Sequence, residues 1–465
     1  MRRDTRLGLS GKKKIKYGVI FLRCCTVPLI VLSAKESMAL PAFARKYHTA
    51  CATCHIAFPV RNGFGEAFRN NGYRFPDEAD EEMVKEEPIK LGQEAYKDVF
   101  PNAIWPSDLP NMPSLGFLAK SGATMQKNPT PGDQGKPNKY SGNYKDVLIN
   151  SEIDMFFSGT ITRQLSYIGD LAFDGGTNGQ DATPTILGRL QFVWTFKPGL
   201  SMAWGTVGFP EQFDLISSRA GTDLNGYAAS LPNPNRGVEL RIAGNTGSMG
   251  GYSLLAGIGR NSEAGTSDPV SGKIVSGNIG DTRFVRATYK IGGNGLMSGV
   301  GGTYGVQAIG LDNSVTFGIN YVNSGQGVST GSEDNIAGLT KTAYSGDVRV
   351  NYGTLRAVGQ YARFNEVLMP DADGTNYGKR TALSLEADYW EFPWLFGVMR
   401  YEHLQDDFNG KINKVISGIG ALIRANFKVG IEYVAVTKTS GIDTAPDSAF
   451  ETAGNSVNLY TQVGF

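Results

Sequence analysis

The sequence predicts a mainly β chain: a transmembrane antiparallel β-barrel of about 16 strands preceded by a small α-helical domain. Three observations predict it. From about Pro113 onward, short segments alternate apolar and polar residues between Gly/Asn/Asp turns. The connections between these segments run alternately short and long. The last segment, Ser456 to Phe465, alternates throughout and stops on phenylalanine, as terminal strands of bacterial outer-membrane barrels do. Composition agrees. Among 465 residues, 19% are charged and 60 are glycine, which is low charge and high glycine for a soluble enzyme and suits strands and tight turns.

The first element is an export signal over residues 1–39. Arg2, Arg3, Arg6, Lys12, Lys13, Lys14 and Lys16 form a basic start, Tyr17 to Ala34 is mostly apolar, and Ser37-Met38-Ala39 fits a small-residue cleavage site. Arg23, in the middle of the apolar run, argues against a retained membrane anchor. The segment holds nine Lys/Arg and two Asp/Glu, so its removal takes +7 from the overall +1 and leaves −6. No nucleic-acid-binding surface is expected from that balance. Of the four cysteines, Cys24 and Cys25 leave with the signal, and only Cys51 and Cys54 stay.

The second element, residues 40–112, carries the chemistry. Cys51-Ala52-Thr53-Cys54-His55 is a C-x-x-C-H run, the attachment sequence of one covalent c-type haem. Each thiol can form a thioether to a haem vinyl group, and the adjoining histidine ligates the iron on the proximal side. A zinc site needs further soft ligands, and after cleavage only His48, His55 and His403 accompany the pair. A thioredoxin-like redox pair needs a βαβ context, which does not follow. Candidates for the sixth iron ligand are Met112, in Asn111-Met112-Pro113, and His48, with His403 and Met83 behind them. Phe58, Phe64, Phe68, Tyr73 and Phe75 read as aromatic packing around a porphyrin or as a miniature core. Phe64 and Phe68 share one face of a short helix that stops at Gly72. Asp77 to Glu87 is a solvated acidic run.

The third element, residues 113–465, is the barrel. Leu383, Leu385, Ala387 and Tyr389 alternate with Ser384, Glu386 and Asp388. Val315, Phe317, Ile319 and Tyr321 follow the same rule, as do Phe427, Val429, Ile431, Tyr433 and Ala435. Strand pairs meet at Lys197-Pro198, Gly353, Phe392-Pro393 and Asn426, and a longer loop follows the pairs at Lys197-Pro198, Gly353 and Asn426. A direct tally from Ser114 gives seventeen strands. Closure from antiparallel pairs requires an even number, and the rhythm breaks only between Asp281 and Asn323, so the expectation is sixteen. No apolar run reaches the length of a transmembrane helix. No Ser/His/Asp triad or P-loop is present, and Gly299 to Gly305 reads as strand and turn glycine.

Phe43-Ala44-Arg45-Lys46, the C-x-x-C-H run, Ala57-Phe58-Pro59 and Phe64-Gly65-Glu66-Ala67-Phe68-Arg69-Asn70-Asn71-Gly72-Tyr73 together resemble the fused monohaem cytochrome c–porins of the bacterial outer membrane, of the kind found in iron-oxidising bacteria. The likeness in detail covers roughly residues 40–113; the barrel matches by architecture alone. Tyr47-His48 departs from it, standing where a glycine-containing pair is expected. The resemblance implies a haem domain tucked into or against the barrel, with Cys51 and Cys54 as attachments and His55 as proximal ligand. It also implies electron transfer across the outer membrane of a Gram-negative bacterium, from an extracellular donor such as Fe(II) to a periplasmic carrier such as a soluble cytochrome c. Two other readings stay open: a solute-transport porin with a haem plug or redox sensor, and a periplasm-facing cytochrome anchored by its barrel.

Overall fold

The computed structural model describes residues 42–47, 49, 51–57, 60–75, 89–90, 108–109, 114–126, 146–161, 164–177, 184–207, 236–260, 280, 282–297, 312–324, 327–328, 335–336, 340–368, 377–407, 410–424, 426–440 and 455–464. The predicted signal, His48, Met83, Met112, the acidic run, Gly299 to Gly305 and Phe465 lie outside the described residues.

Sixteen strands close into one antiparallel barrel. They are β1 (Ser114–Gln126), β2 (Asp146–Thr160), β3 (Leu165–Thr177), β4 (Pro184–Lys197), β5 (Leu200–Gly205), β6 (Arg236–Asn245), β7 (Gly251–Arg260) and β8 (Thr282–Gly292). The circuit continues with β9 (Ser314–Ser324), β10 (Thr340–Tyr352), β11 (Leu355–Leu368), β12 (Tyr377–Phe392), β13 (Leu395–Asp406), β14 (Gly410–Arg424), β15 (Phe427–Ser440) and β16 (Ser456–Gly464). Each pairs with its sequence neighbour, and β16 closes on β1 from Ser456↔Gln126 to Gly464↔Leu118. Closure leaves no sheet edge, which is what allows strands to cross a bilayer.

The β10–β11 turn sits at Gly353, where the sequence put it, and the β4–β5 turn falls one residue on from Lys197-Pro198, at Pro198-Gly199. Gly199 (φ 75°) and Gly353 (φ 59°) turn the β4–β5 and β10–β11 hairpins in the left-handed region that glycine adopts without a Cβ clash. Among the described residues, only β8 and β9 occupy the stretch where the rhythm broke. Their link, residues 293–313, is a long one at the end where the other links are short, and the alternation of length fails there for that reason.

Outward positions are apolar. Ile319, Met399, Ile419, Ile431 and Leu459 are all exposed on the outer wall. Exposed Phe196, Tyr289, Tyr352, Tyr389, Phe392 and Trp394 border the short turns, and Tyr321, Tyr344 and Tyr361 lie toward the long-loop end. On β10, Tyr344 and Tyr352 are eight residues apart, about 26 Å along the strand and about 20 Å along the barrel axis once tilt is included. An apolar wall of that height between aromatic girdles is the outer surface of an outer-membrane barrel, and the chain is an outer-membrane protein of a Gram-negative bacterium. Its short-turn end faces the periplasm.

The inward positions are layered. Trp390, Phe396 and Val398 form an apolar tier near the short-turn end. A charged tier follows: Arg356 donates to Asp388 (2.6 Å), Arg400 to Glu386 (3.0 Å), and Arg286 lies 2.7 Å from Asp347. Toward the long loops the wall turns apolar again. Val322 stands opposite Phe284 and Ala343, Ala343 opposite Phe364, and Leu404 opposite Ala382 and Ile412, all packed in one cluster.

The expected small α-helical domain takes a different form. In the described part of residues 40–112 the helices are only α1 (Ala42–Lys46) and α2 (Gly63–Asn70), joined by a 3-10 turn at Cys51–Thr53 and a short hairpin of His55–Ala57 with Val60–Arg61. These short elements bury a small aromatic core of Tyr47, Phe64, Phe68 and Phe75. They pack on the barrel wall, and Leu40–Phe465 is one compact unit.

Candidate functional site

The C-x-x-C-H run is a turn clamped by one asparagine. Cys54 N–H donates to the Cys51 carbonyl at 3.2 Å, closing the 3-10 turn. Asn62, buried, donates from Nδ2 to the carbonyls of Ala52 (3.1 Å) and Thr53 (3.0 Å). Its Oδ1 accepts from Gly65 N–H at 3.0 Å, capping α2, and its own N–H donates to the Cys54 carbonyl at 3.0 Å. Gly65 follows from this closeness: a Cβ there would stand 2.2 Å from the Cys54 carbonyl oxygen.

Helix α2 stops as its sequence requires. Gly72 N–H donates to the Arg69 carbonyl and Tyr73 N–H to the Phe68 carbonyl, with Gly72 at φ 70°. That is a Schellman cap, and the accompanying contact is Phe68 against Tyr73, ring centroids 6.4 Å apart. The aromatic residues do gather. Phe43 meets Phe68 at 5.0 Å, Tyr47 meets Phe75 at 4.5 Å and Phe64 meets Phe75 at 5.2 Å, and Cys54 packs against this group.

The barrel wall holds the segment in place near the short-turn end. Ala57 and Val60 share a core with Trp390 and Phe396. Ser166 Oγ donates to the Gly72 carbonyl (2.7 Å), and Asn70 Nδ2 donates to the Leu296 carbonyl (3.0 Å). Arg349 donates to Glu66 at 3.2 Å, and Arg61 lies 3.8 Å from the same carboxylate. Burial acts to raise the Glu66 carboxyl, but the guanidiniums of Arg349, Arg61 and Arg69 outweigh it and hold it well below the usual carboxylate range.

The thiols fit thioether chemistry. Both Cys51 and Cys54 are free of disulfide. Burial, with a smaller contribution from Cys51, pushes the Cys54 thiol up to about 12, and burial raises Cys51 as well. Such surroundings disfavour the thiolate that zinc binding or disulfide exchange requires. A thioether is neutral and apolar and meets no such penalty. Among the described residues no group of three or more His, Cys, Asp or Glu is arranged to hold a metal ion.

His403 is corrected. It lies on β13 between inward-facing Glu402 and Leu404, so it points to the outer face, where Nδ1 is 2.6 Å from Asn413 Oδ1. A residue on the far side of the wall cannot ligate a group at His55. The residues missed in the sequence are Asn62, Gly65, Glu66 and Arg349. Asn62 before Gly-Phe-Gly-Glu carried a helix N-cap signal. Arg349, 283 positions from Glu66, carried none.

No family model matches the chain, and no curated protein does. The fold is similar to several solved structures. One is the outer membrane channel DcaP of Acinetobacter baumannii, at 12% identity over 76% of this chain and 96% of that one, TM-score 0.43. Another is the Salmonella typhi OmpF complex with daunomycin, at 12% identity over 76% and 97%, TM-score 0.45. A third is an anion-selective porin from Comamonas acidovorans, at 11% identity over 76% and 98%, TM-score 0.45.

Proposed function

We propose that the chain moves electrons across the outer membrane by means of one covalent haem c, attached at Cys51 and Cys54 with His55 as the proximal iron ligand. The observation that carries this reading is the position of the C-x-x-C-H turn: inside a closed barrel, clamped by Asn62 and Gly65, with two protonated thiols beside an aromatic cluster. When bound, the haem supplies one-electron iron chemistry. The chain's own residues hold and insulate that position. Asn62 and Gly65 fix the attachment turn, the aromatic cluster packs against Cys54, and Trp390 and Phe396 pack against the hairpin residues Ala57 and Val60 that follow it. The charged tier supplies a polar setting of the kind that tunes a redox centre. An extracellular donor such as Fe(II) and a periplasmic acceptor such as a soluble cytochrome c are the proposed partners. Met112 and His48 are the proposed sixth-ligand candidates.

The test is spectroscopic. The purified chain is expected to show c-type absorption bands that Fe(II) reduces at matched pH. Bands without reduction by Fe(II) would remove the iron donor but leave the conduit.

A second reading, a solute porin carrying a haem plug or redox sensor, draws support from the strand number, since sixteen-stranded porins enclose an aqueous channel. Planar-bilayer conductance separates the two.

A further inference from the structure

The outer wall carries a basic row where β11 to β14 reach the long-loop end. Inward Ala362, Ala382, Leu404 and Ile412 are buried, so Arg363, Thr381, Gln405 and Lys411 beside them point outward. These four share one level: Arg363 stands opposite Thr381, Thr381 opposite Gln405, and Gln405 opposite Lys411. Neighbouring strands lie about 4.8 Å apart, so the row spans about 14 Å. Lys379 lies one step above Thr381 on the same face. Lys379 and Lys411 are exposed, and Arg363 is half-buried.

The level of the row decides what it meets. Gln405 follows Leu395 by ten residues, about 34 Å along β13 and about 26 Å along the barrel axis once tilt is included. The apolar band of an outer-membrane barrel is about 25 Å tall. The row therefore stands at the rim of that band, level with Tyr344 of the aromatic girdle, which is directly opposite Arg363. Below it the wall is apolar, with Tyr361, Leu385 and Met399 exposed. The short-turn end of the same sector presents Tyr352, Tyr389, Glu391 and Trp394 instead.

The cations have donors to offer. Arg363 donates from Nε to Asn365 Oδ1 (3.3 Å), and among the described residues Arg363, Lys379 and Lys411 lie in no ion pair. The described carboxylate beside them is Asp407, which accepts from Lys379 N–H at 2.9 Å. Guanidinium and ammonium groups both bind phosphate oxygens. A ligand held here meets cations at its head and an apolar wall below. A lipid phosphate satisfies both conditions; a free oxyanion satisfies only the first.

We infer that Arg363, Lys379 and Lys411 form a docking site for the phosphorylated headgroup of an outer-leaflet glycolipid, whose acyl chains lie against the wall beneath.

The experiment uses the full chain in non-ionic detergent at low ionic strength, read by native mass spectrometry. The probes are diphosphorylated lipid A and the same lipid with both phosphates removed. The chain should hold the phosphorylated probe about tenfold more tightly or better, at about fivefold per basic residue near the surface. Arg363→Gln/Lys379→Gln/Lys411→Gln should weaken that retention by about tenfold or more, and Glu391→Gln, at the opposite interface, should leave it unchanged. Equal retention of the two probes overturns the site, as does a triple variant that matches wild type or an equal loss in Glu391→Gln. Release of the lipid by an equimolar amount of inorganic phosphate would assign the cations to a free oxyanion and overturn the lipid as occupant. If the triple variant fails to fold, as read by heat-dependent gel mobility, Lys379→Gln and Lys411→Gln decide. Each should weaken retention about fivefold, and two values equal to wild type overturn the site.

Discussion

Gly65 lies against the carbonyl of Cys54 so closely that a Cβ on residue 65 would stand 2.2 Å from the oxygen. Helix α2 and the attachment turn therefore touch backbone to backbone. Gly65→Ala forces them apart and should cost about 1–3 kcal/mol or more, because backbone cannot yield as a side chain does. The expected outcome is a lower Tm and less haem per chain. Unchanged values for both would show that the two elements are not in register contact.

Asn62 serves as helix cap and as donor to two carbonyls of the same turn. Asn62→Ala should destabilise the chain by about 1–3 kcal/mol. Asn62→Ser keeps a hydroxyl oxygen that can cap α2 at Gly65 N–H and loses both carbonyl contacts, so its loss should fall between wild type and Asn62→Ala. Denaturant titration checks the order; equal losses for the two variants would mean that the cap to Gly65 contributes nothing.

Glu66 gives a pH signature. Its folded carboxyl is held below the ordinary value of 4.5 after burial is outweighed by Arg349, Arg61 and Arg69. A depressed carboxyl contributes stability above the unfolded value, and that stability is lost as pH falls toward the folded value. Glu66→Gln should therefore be less stable than wild type at neutral pH, by about 3 kcal/mol for a broken buried pair. The gap should narrow as pH drops below about 4.5. A gap constant from about pH 7 to about pH 3 would contradict the pairing.

The thiols of a chain made without haem should react slowly. Burial holds Cys54 up near 12, so its thiolate fraction at pH 8 is small. Alkylation followed by mass spectrometry should label Cys54 far more slowly than a free thiol, and in the haem-loaded chain neither cysteine should be labelled. Labelling of both in the purified wild-type chain would sink the thioether assignment.

The inner apolar tier sets a conductance prediction. With Phe284, Phe364, Leu404 and Ile412 lining the long-loop end, the barrel should pass little ion current in a planar bilayer. Phe364→Ser combined with Phe284→Ser should raise it. Wild-type conductance equal to that of an open porin would favour solute transport over the conduit.

The alternation of Leu385 and Tyr389 against Glu386 and Asp388 determined from sequence alone which face of β12 meets lipid, because side chains in a strand point to opposite faces with period two. The strand number followed from the turn rhythm and the even count that closure requires, and the proposed attachment residues come from a five-residue motif. These are local patterns, written within one element. What the tertiary structure decided is everything that depends on closure. Glu66 meets Arg349 across 283 positions, Ser166 donates from the wall to the Gly72 carbonyl, and the segment joins the barrel in one compact unit. The three inner tiers likewise arise only when eight hairpins share one register around a closed circuit. Barrel closure brings remote strands to the same height, and no local periodicity records which residues will then face one another across the lumen.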